Sequence, residues 1–331
     1  MRLEESVSQA IATGASLGFD AEDGEATCGF EAFWGESAFP PPGYLPWDVL
    51  EVGNGDTYGF YWPIGKEDQP PLVCTLMHDA KTLFPLASNF ERALRLLRAT
   101  DIADEDEFKE LAKDFKVKLT RLPKLEPDEK VPFYGMRASD LLKIDDRSPS
   151  ILLAAARELR GKDLPGAEKL ARQAVEILPE YAEGWEFLAN LHRQGQKQLA
   201  VVDNTLRAIG TPMAFGAKDR KKLLAPLKKL LDHSAPNPND PIWKRRAGLT
   251  FAEDAKESAD ARLLTEAIGD YHRQGQHLRA LYLRLVLGEW IAGQTVSFQL
   301  RLNWNWPQFH ALLRNDHEHA GLTARLPALA G

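Results

Sequence analysis

The sequence predicts an α+β domain over residues 1–99, a connector over residues 100–147 and an all-helical domain over residues 148–331. Three observations lead to this division. Short β-rich runs separated by Gly, Asn and Pro fill the first part, the middle part is charged and carries several prolines, and apolar residues recur with a helical period in the last part. A chain of 331 residues also exceeds the roughly 100–200 residues of a typical single domain.

Three β-rich runs predict the strands of an antiparallel sheet: Trp47–Val52, Thr57–Trp62 and Leu72–Met77. The segment Gly53–Asp56 between the first two runs offers residues that accept positive φ angles, as a hairpin turn requires. Side chains alternate along a strand, so Tyr58, Phe60 and Trp62 share one face of the second run. The sequence therefore predicts a small meander with one strongly aromatic face.

A helix is predicted to follow the sheet. Ser88 and Glu91 have the spacing of a capping box, which satisfies the first free amides of a helix. Phe90, Leu94 and Leu97 then form an apolar stripe that can pack on the sheet. In the connector we expect a further short helix over residues 104–115.

The last part contains a repeating helical pattern. Small residues recur in its first unit, where two helices can cross closely: Ala167, Ala171 and Ala174. The next unit carries Trp185, Leu188, Ala189 and His192 in the spacing of the W-x₂-L-G-x₂-Y pattern. These residues are similar to those of tetratricopeptide repeats, which in general bind peptides in a concave groove. Two hairpins of this type are predicted, over Ser148–Tyr181 and Ala182–Phe215.

A pentapeptide supports a third helical unit. The sequence His192–Gln196 is repeated as His272–Gln276, and each copy is expected to lie in the turn between two helices. Because roughly three repeats are needed to bury a continuous core, Leu263–Leu287 is predicted to supply a degenerate further hairpin. The tail after Asn303 has no predicted role.

Charge is segregated along the chain. The first 80 residues contain fourteen acidic and two basic residues, a formal charge of −12, whereas the whole chain carries −7 and its remainder therefore +5. An acidic surface attracts cations or basic proteins and repels nucleic acid. We therefore expect the first domain to bind a protein partner, with no nucleic acid expected.

Cysteine usage predicts a reducing compartment. Cys28 and Cys74 are the two cysteines of the chain, and they form no CxxC pair. The acidic start lacks the apolar core of a secretory signal, and the longest apolar stretch, Leu281–Ala292, is too short for a membrane helix. Together these features predict a cytoplasmic protein with no membrane partner.

Two stretches of the first part carry a family resemblance. Val52–Phe60, a Gly/Asn turn entering an aromatic strand, and Ala87–Leu94, a Ser-Asn-Phe-Glu helix start, resemble the SUKH superfamily, also called Smi/Knr-like. Residues 1–44 depart from the pattern of that superfamily. The resemblance implies an α+β domain without catalysis that binds other proteins, typically as the immunity partner of a bacterial toxin.

Candidate partner-binding residues follow from charge and aromatic content. The acidic candidates are Asp48, Glu51, Asp56 and Asp79, and the aromatic anchors beside them are Tyr58, Tyr61 and Trp62. The alternative is that the aromatic residues form core and that Glu51 is a solvated strand residue.

In the helical part, the groove-facing positions of the second hairpin hold Glu183, Glu186, Asn190 and Arg193. This set lacks the lysines that capture a C-terminal carboxylate. A basic run over residues 218–229 and Trp243–Arg246 could contact nucleic acid or an acidic partner, but its apolar spacing favours a solvated helix face.

Catalytic and metal sites are not predicted. His78 and Asp79 could be interpreted as an acid/base pair, but no nucleophile motif accompanies them. His317 and His319 with His310 lack the spacing of a metal site. No cofactor is expected. The favoured function is protein binding, and its specific form under the SUKH resemblance is neutralisation of a basic toxin domain. The alternatives are a tetratricopeptide-type scaffold with a structural N-terminal domain and an unrecognised hydrolase.

Overall fold

The fold is known from a computed structural model. The residues that it describes are 41, 43–51, 57–77, 82–99, 136–216, 219–252 and 259–323, and of residues 45–51 and 98 it describes the backbone alone. The predicted turn Gly53–Asp56 and the predicted helix over residues 104–115 lie outside this set.

A four-stranded antiparallel sheet begins the described structure. Its strands are β1 (Tyr44–Glu51), β2 (Thr57–Tyr61), β3 (Leu72–Met77) and β4 (Thr82–Ala87), in the spatial order β1-β2-β3-β4. Adjacent strands are consecutive in sequence, so the sheet is the predicted meander with one strand more than the sequence indicated. Together with the helices that follow, it confirms the predicted fold class of an α+β part and then a helical part.

The additional strand, β4, contains Pro85, which is why its sequence did not read as a strand. Proline has no N–H for a β-ladder and is confined largely to edge strands. Pro85 lies on an edge strand opposite Cys74, next to an irregularity in the register. Its carbonyl accepts a 2.6 Å hydrogen bond from Ser150 Oγ, so helical residues cover this edge.

Helix α1 (Phe90–Ala99) follows the sheet and packs on one of its faces. Phe60 packs against Phe90 with the rings tilted and their centroids 5.9 Å apart, as the predicted apolar stripe requires. The predicted capping box is wrong, because Asn89 caps the helix by accepting from the amide of Arg92 at 2.9 Å. The Ser88 hydroxyl instead donates to the buried carboxylate of Asp145.

The remaining regular secondary structure of the described residues is helical. Their α-helices are α2 (Ala138–Ile144), α3 (Pro149–Leu159), α4 (Leu164–Ile177), α5 (Ala182–Gln194), α6 (Gln198–Gly210), α7 (Arg220–Leu227), α8 (Pro241–Arg245), α9 (Ala259–Arg273), α10 (His277–Ala292), α11 (Val296–Arg301) and α12 (Trp306–His319). Single 3₁₀ turns lie at Met213–Phe215 and Asp232–Ser234. No helix in the described part of the chain is long and apolar enough to cross a membrane.

Three helical hairpins match the predicted units. We call them hairpin 1 (α3 and α4), hairpin 2 (α5 and α6) and hairpin 3 (α9 and α10). The predicted crossing residues Ala167, Ala171 and Ala174 are fully buried, because two helices approach closely where the side chains are small. The segment between hairpins 2 and 3, with α7 and α8, interrupts the repeat.

The other face of the sheet packs on hairpin 1. Tyr61 and Cys74 from the sheet share one hydrophobic core with Leu152, Ala171 and Phe187 of the helices. The sheet is therefore a middle layer, with α1 on one side and the helical array on the other. A second core joins hairpin 3 to α7, α8, α11 and α12.

Hairpins 1 and 2 are also joined by the carboxylate of Glu168. It accepts from Lys197 Nζ at 2.9 Å and from Arg172 Nη2 at 2.8 Å, and it lies 3.1 Å from Nε2 of the buried His192. Partial burial acts to raise the pKa of Glu168, but the hydrogen bonds from Lys197 and Arg172 outweigh it and lower the pKa to about 2.

The two copies of the pentapeptide form turns of different geometry. Gly275 has φ +71°, in the left-handed region, whereas Gly195 has φ −80° and the left-handed residue of its turn is Gln196. Glycine is therefore required at position 275, where the backbone is left-handed. It is replaceable at the equivalent position 195, since a Cβ on Gly195 would meet no atom closer than 3.7 Å.

We predict opposite outcomes for the same substitution in the two turns. Gly275→Ala should lower the free energy of unfolding by about 1–2 kcal/mol, because a Cβ is strained in the left-handed conformation. Gly195→Ala should leave it unchanged or raise it by about 0.5 kcal/mol, because alanine restricts the unfolded chain. Urea unfolding of both variants tests this, and equal effects would contradict the assigned turn geometries.

We also predict a pH-dependent contribution from Glu168. A carboxylate with a lowered pKa stabilises the fold above about pH 4.5, and this contribution disappears as the pH falls towards 2. Glu168→Gln should therefore destabilise by about 1 kcal/mol at pH 6 and by much less near pH 2.5. Unfolding curves at both pH values measure this, with the exposed Glu176→Gln on the same helix as control. A difference that stays constant with pH would rule the proposal out.

Candidate functional site

The predicted acidic residues are only partly placed. Asp48 and Glu51 lie on β1, where the backbone alone is described, and Asp56 and Asp79 lie outside the described residues, as does His78. The proposed acidic docking face therefore stays a prediction.

The predicted aromatic anchors do not form an exposed face. Tyr61 is 0% exposed and packs on Phe215 with ring centroids 4.7 Å apart, and Trp62 is buried beside Phe60. Tyr58 is only half-buried, and its burial raises the pKa of its hydroxyl. The prediction that Tyr61 and Trp62 anchor a partner is corrected, because both faces of the sheet are covered by helices of the same chain.

The Tyr61 hydroxyl leads to a buried carboxylate that sequence reasoning missed. It donates to Oε1 of Glu180, which also accepts a 2.7 Å hydrogen bond from the amide of Ile64. Tyr282 Oη of α10 donates to the other oxygen at 3.4 Å. Glu180 is 1% exposed, and it sits directly after the proline that closes hairpin 1. A charged residue beside that proline is an ordinary turn signal, so nothing in the sequence indicated its burial.

Cys74 lies near this carboxylate and is not suited to nucleophilic chemistry. Its burial, and secondly the negative charge of Glu180, raise the pKa of the Cys74 thiol well above its usual value. A thiol is reactive as the thiolate, so a raised pKa makes it inert at neutral pH.

The predicted groove residues of hairpin 2 have partners within the chain. Glu183 pairs with Arg157 of hairpin 1, and Asn190 Oδ1 accepts a 2.7 Å hydrogen bond from Arg193 Nη1. Glu186 is half-buried, with interactions of its own. These residues therefore lie along α5 but do not converge on a common site.

A cleft between hairpins 2 and 3 is the better candidate. It has a volume of about 130 Å³ and is lined mainly by Trp185, Arg207, Thr211, Ile242, Tyr271, Leu278, Arg279 and Tyr282. Five helices position this lining: α5 and α6 on one side, α9 and α10 on the other, and α8 between them. The aromatic and arginine residues of the cleft were not predicted as a site, since they come from segments almost one hundred residues apart.

Contacts within the chain fix the positions of the aromatic and arginine side chains that line the cleft. Trp185 Nε1 donates a 2.8 Å hydrogen bond to the carbonyl of Pro179, which fixes the indole ring. Arg207 lies over this ring, with its guanidinium carbon 4.9 Å from the centroid. On the opposite side Arg279 lies 4.8 Å from the Tyr271 centroid. The charged side chains that line the cleft are therefore both cationic, and each rests on an aromatic face.

The predicted basic run is less available than its sequence implies. Arg220 is buried and donates to Glu289 at 2.8 Å. Arg246 lies over the Trp243 ring and donates to the carbonyls of Leu227, the last residue of α7, and of Leu230. Arg245 pairs with Asp270 at 2.7 Å. These arginines join helices of the chain, which leaves the exposed lysines of α7 as the solvated face that the apolar spacing favours.

Histidines lie together near the end of the described chain but do not form a metal site. His272 contacts His277 and the buried Asp316, and His319 stacks on the His277 ring and meets the His272 ring edge-on. His317 is buried and faces the carbonyl of Leu313. Among the described residues, no group of three or more His, Cys, Asp or Glu side chains has an arrangement that could hold a metal ion.

Comparisons with known proteins add two similarities. A family model described as the YfbP N-terminal domain matches residues 31–107. The chain is also 28% identical over 282 residues to the uncharacterized protein YfbP of Escherichia coli strain K12, and the alignment covers 83% of this chain and 87% of that protein. An alignment of this length extends beyond the sheet into the helical array. The resemblances to SUKH domains and tetratricopeptide repeats stay predictions.

We predict that Glu180 is essential for stability and not for chemistry. Glu180→Leu should lower the free energy of unfolding by about 3 kcal/mol, because the Tyr61 hydroxyl and the Ile64 amide lose their buried acceptor. Glu180→Gln keeps one acceptor oxygen and should cost about 1 kcal/mol, and Tyr282→Phe less than that. Chemical unfolding measures all three variants. Equal losses for Leu and Gln would contradict the role given to these hydrogen bonds.

Proposed function

We propose that this chain is a non-catalytic protein-binding protein, and that the cleft between hairpins 2 and 3 receives a segment of its partner. The observation that carries the proposal is the pair of opposed guanidinium groups, each resting on an aromatic ring, at the walls of one cleft. Arginine and aromatic side chains dominate the energetic centres of protein interfaces.

The size of the cleft favours a protein ligand over a cofactor. Pockets that enclose small-molecule ligands usually measure about 300–1,000 Å³, whereas this cleft measures about 130 Å³. This volume suits one or two side chains of a bound segment, with the rest of that segment on the surface.

The chemistry of the lining also favours binding over turnover. A general base or a nucleophile needs a partner that activates it, and the cleft presents arginines, aromatic rings and aliphatic side chains. Arginine stays protonated at physiological pH and acts in recognition. The buried thiol of Cys74 and the buried carboxylate of Glu180, which accepts from Tyr61, Ile64 and Tyr282, offer no better alternative.

Neutralisation of a basic toxin domain by the acidic first part is a second candidate. The formal charge of −12 in the first 80 residues favours it. The burial of Tyr61 and Trp62 weakens it, because the predicted anchors of that interface belong to the core. The helical array is therefore the preferred binding part.

A capture experiment distinguishes the two candidates. The purified chain is coupled to beads, incubated with a lysate of its source organism, and compared with two tryptophan variants. Leu278 is 37% exposed at the cleft and Leu231 is 67% exposed elsewhere, so Leu278→Trp fills the cleft while Leu231→Trp is the matched control. We expect Leu278→Trp to lower recovery of specific partners at least about tenfold, a change worth 1.4 kcal/mol.

A third variant, Asp48→Lys with Glu51→Lys and Asp56→Lys, tests the acidic part. If this variant loses the partners and Leu278→Trp retains them, the binding site belongs to the first part and the cleft proposal is wrong. If the wild-type chain retains nothing beyond bare beads, protein binding itself is contradicted.

A further inference from the structure

We propose that the cleft recognises the side-chain carboxylate of an acidic residue within a peptide, next to an apolar residue. This inference rests on the proposed function and names the chemistry of its ligand. It follows from three features of the cleft: the N–H donors that Arg207 and Arg279 keep for a ligand, the aspartates that hold these arginines, and the exposed Leu278 at the rim.

Both arginines are anchored at one nitrogen and keep donors for a ligand. Arg207 Nε donates to Asp203 Oδ2 at 2.9 Å, and Arg279 Nη1 donates to Asp240 Oδ2 at 2.8 Å. A guanidinium has five N–H donors in a fixed plane. Within the described parts of the chain, the Nη groups of Arg207, and Nε and Nη2 of Arg279, have no other acceptor and remain for a carboxylate.

The Arg279 side of the cleft is rigid before any ligand arrives. Asp240 is 2% exposed, and its Oδ1 accepts 3.0 Å hydrogen bonds from the amides of Ile242 and Trp243 at the start of α8. Its Oδ2 accepts from the Tyr271 hydroxyl at 2.9 Å as well as from Arg279. A carboxylate held by four donors cannot swing away, so it fixes the guanidinium over Tyr271. Such preorganisation reduces the entropy lost on binding.

The occupied aromatic faces argue against a cationic ligand. Aromatic clefts bind ammonium groups through the ring faces, but the faces of Trp185 and Tyr271 are already covered by Arg207 and Arg279. A cation would meet two like charges. An anion would meet two guanidinium planes, which match the geometry of a carboxylate.

The two aspartates select a singly charged anion. The carboxylates of Asp203 and Asp240 balance the formal charge of the two guanidinium groups. The cleft therefore offers directed N–H donors without net positive charge, and a doubly charged phosphate gains less from it than a singly charged carboxylate. Leu278, which is 37% exposed at the rim, offers contact to an apolar residue beside the acidic one. The expected ligand is therefore Asp or Glu adjacent to a residue such as Leu or Phe, inside a peptide.

The test uses a random twelve-residue phage-display library panned on the full-length wild-type chain. We expect enrichment of sequences in which Asp or Glu neighbours a large apolar residue. The most enriched sequence is then synthesised with a fluorescent label and titrated by anisotropy, together with its Gln or Asn counterpart. The acidic peptide should bind at least tenfold more tightly than its neutral counterpart, and its affinity should fall as NaCl rises from about 50 to 500 mM.

Variants connect this binding to the two arginines. The double variant Arg207→Gln with Arg279→Gln should weaken the acidic peptide at least tenfold, and the corresponding double Lys variant should restore part of the loss. Arg262→Gln is the matched control, since Arg262 is an exposed arginine of α9 that pairs with Glu266 away from the cleft. Thermal unfolding of each variant verifies that it is folded.

Several outcomes would overturn the inference: enrichment of neutral or basic sequences, no enrichment, tighter binding of a phosphorylated peptide than of the acidic one, or unchanged binding by the double Gln variant. These results differ from failure of the proposed function. If Leu278→Trp loses its captured partners while the double Gln variant keeps them, the cleft binds proteins but not through a carboxylate.

Discussion

The carboxylate of Glu180 is the constraint that unites the sheet with the helical array. Its donors come from two hydrophobic cores: Tyr61 belongs to the core of the sheet and hairpin 1, whereas Ile64 and Tyr282 belong to the core of hairpin 3. A buried carboxylate is tolerated only when donors surround it. The two cores must therefore meet in one arrangement for the donors to converge, and Tyr61 and Ile64 are turned inward to supply them.

Local patterns predicted the parts of this fold that local forces determine. The helical period and the small residues around Ala171 predicted hairpin 1 with bounds close to those in the structure. The alternation of side chains predicted β2 and β3. The misses arise where tertiary contacts override a local signal. The local sequence indicates Ser88 as a helix cap, yet its hydroxyl donates to Asp145, 57 residues away. Pro85 indicates a break in the strand, yet it lies on an edge strand that α3 covers.

The same distinction explains why the binding site was misplaced. Aromatic strands beside acidic residues indicate an interface when the sheet has an open face, and this sheet has both faces covered. The basic run was equally misleading, because Arg220 and Arg246 donate to carbonyl groups at the ends and turns of neighbouring helices. Arginine used in this way fixes the packing of short, irregular helices, and it contributes little charge to the surface.

The cleft exists because the helical repeat is interrupted. Hairpin 3 does not stack on hairpin 2 as a direct continuation, since α7 and α8 lie between them in sequence and Ile242 of α8 lines the cleft between them. A regular array would bury Trp185 against the next helix. The interruption leaves Trp185 half-buried, and its ring is covered by Arg207, while Arg279 lies over the buried ring of Tyr271. Asp240, which caps α8, also holds Arg279, so the residue that starts the interrupting helix orients the charge at the cleft.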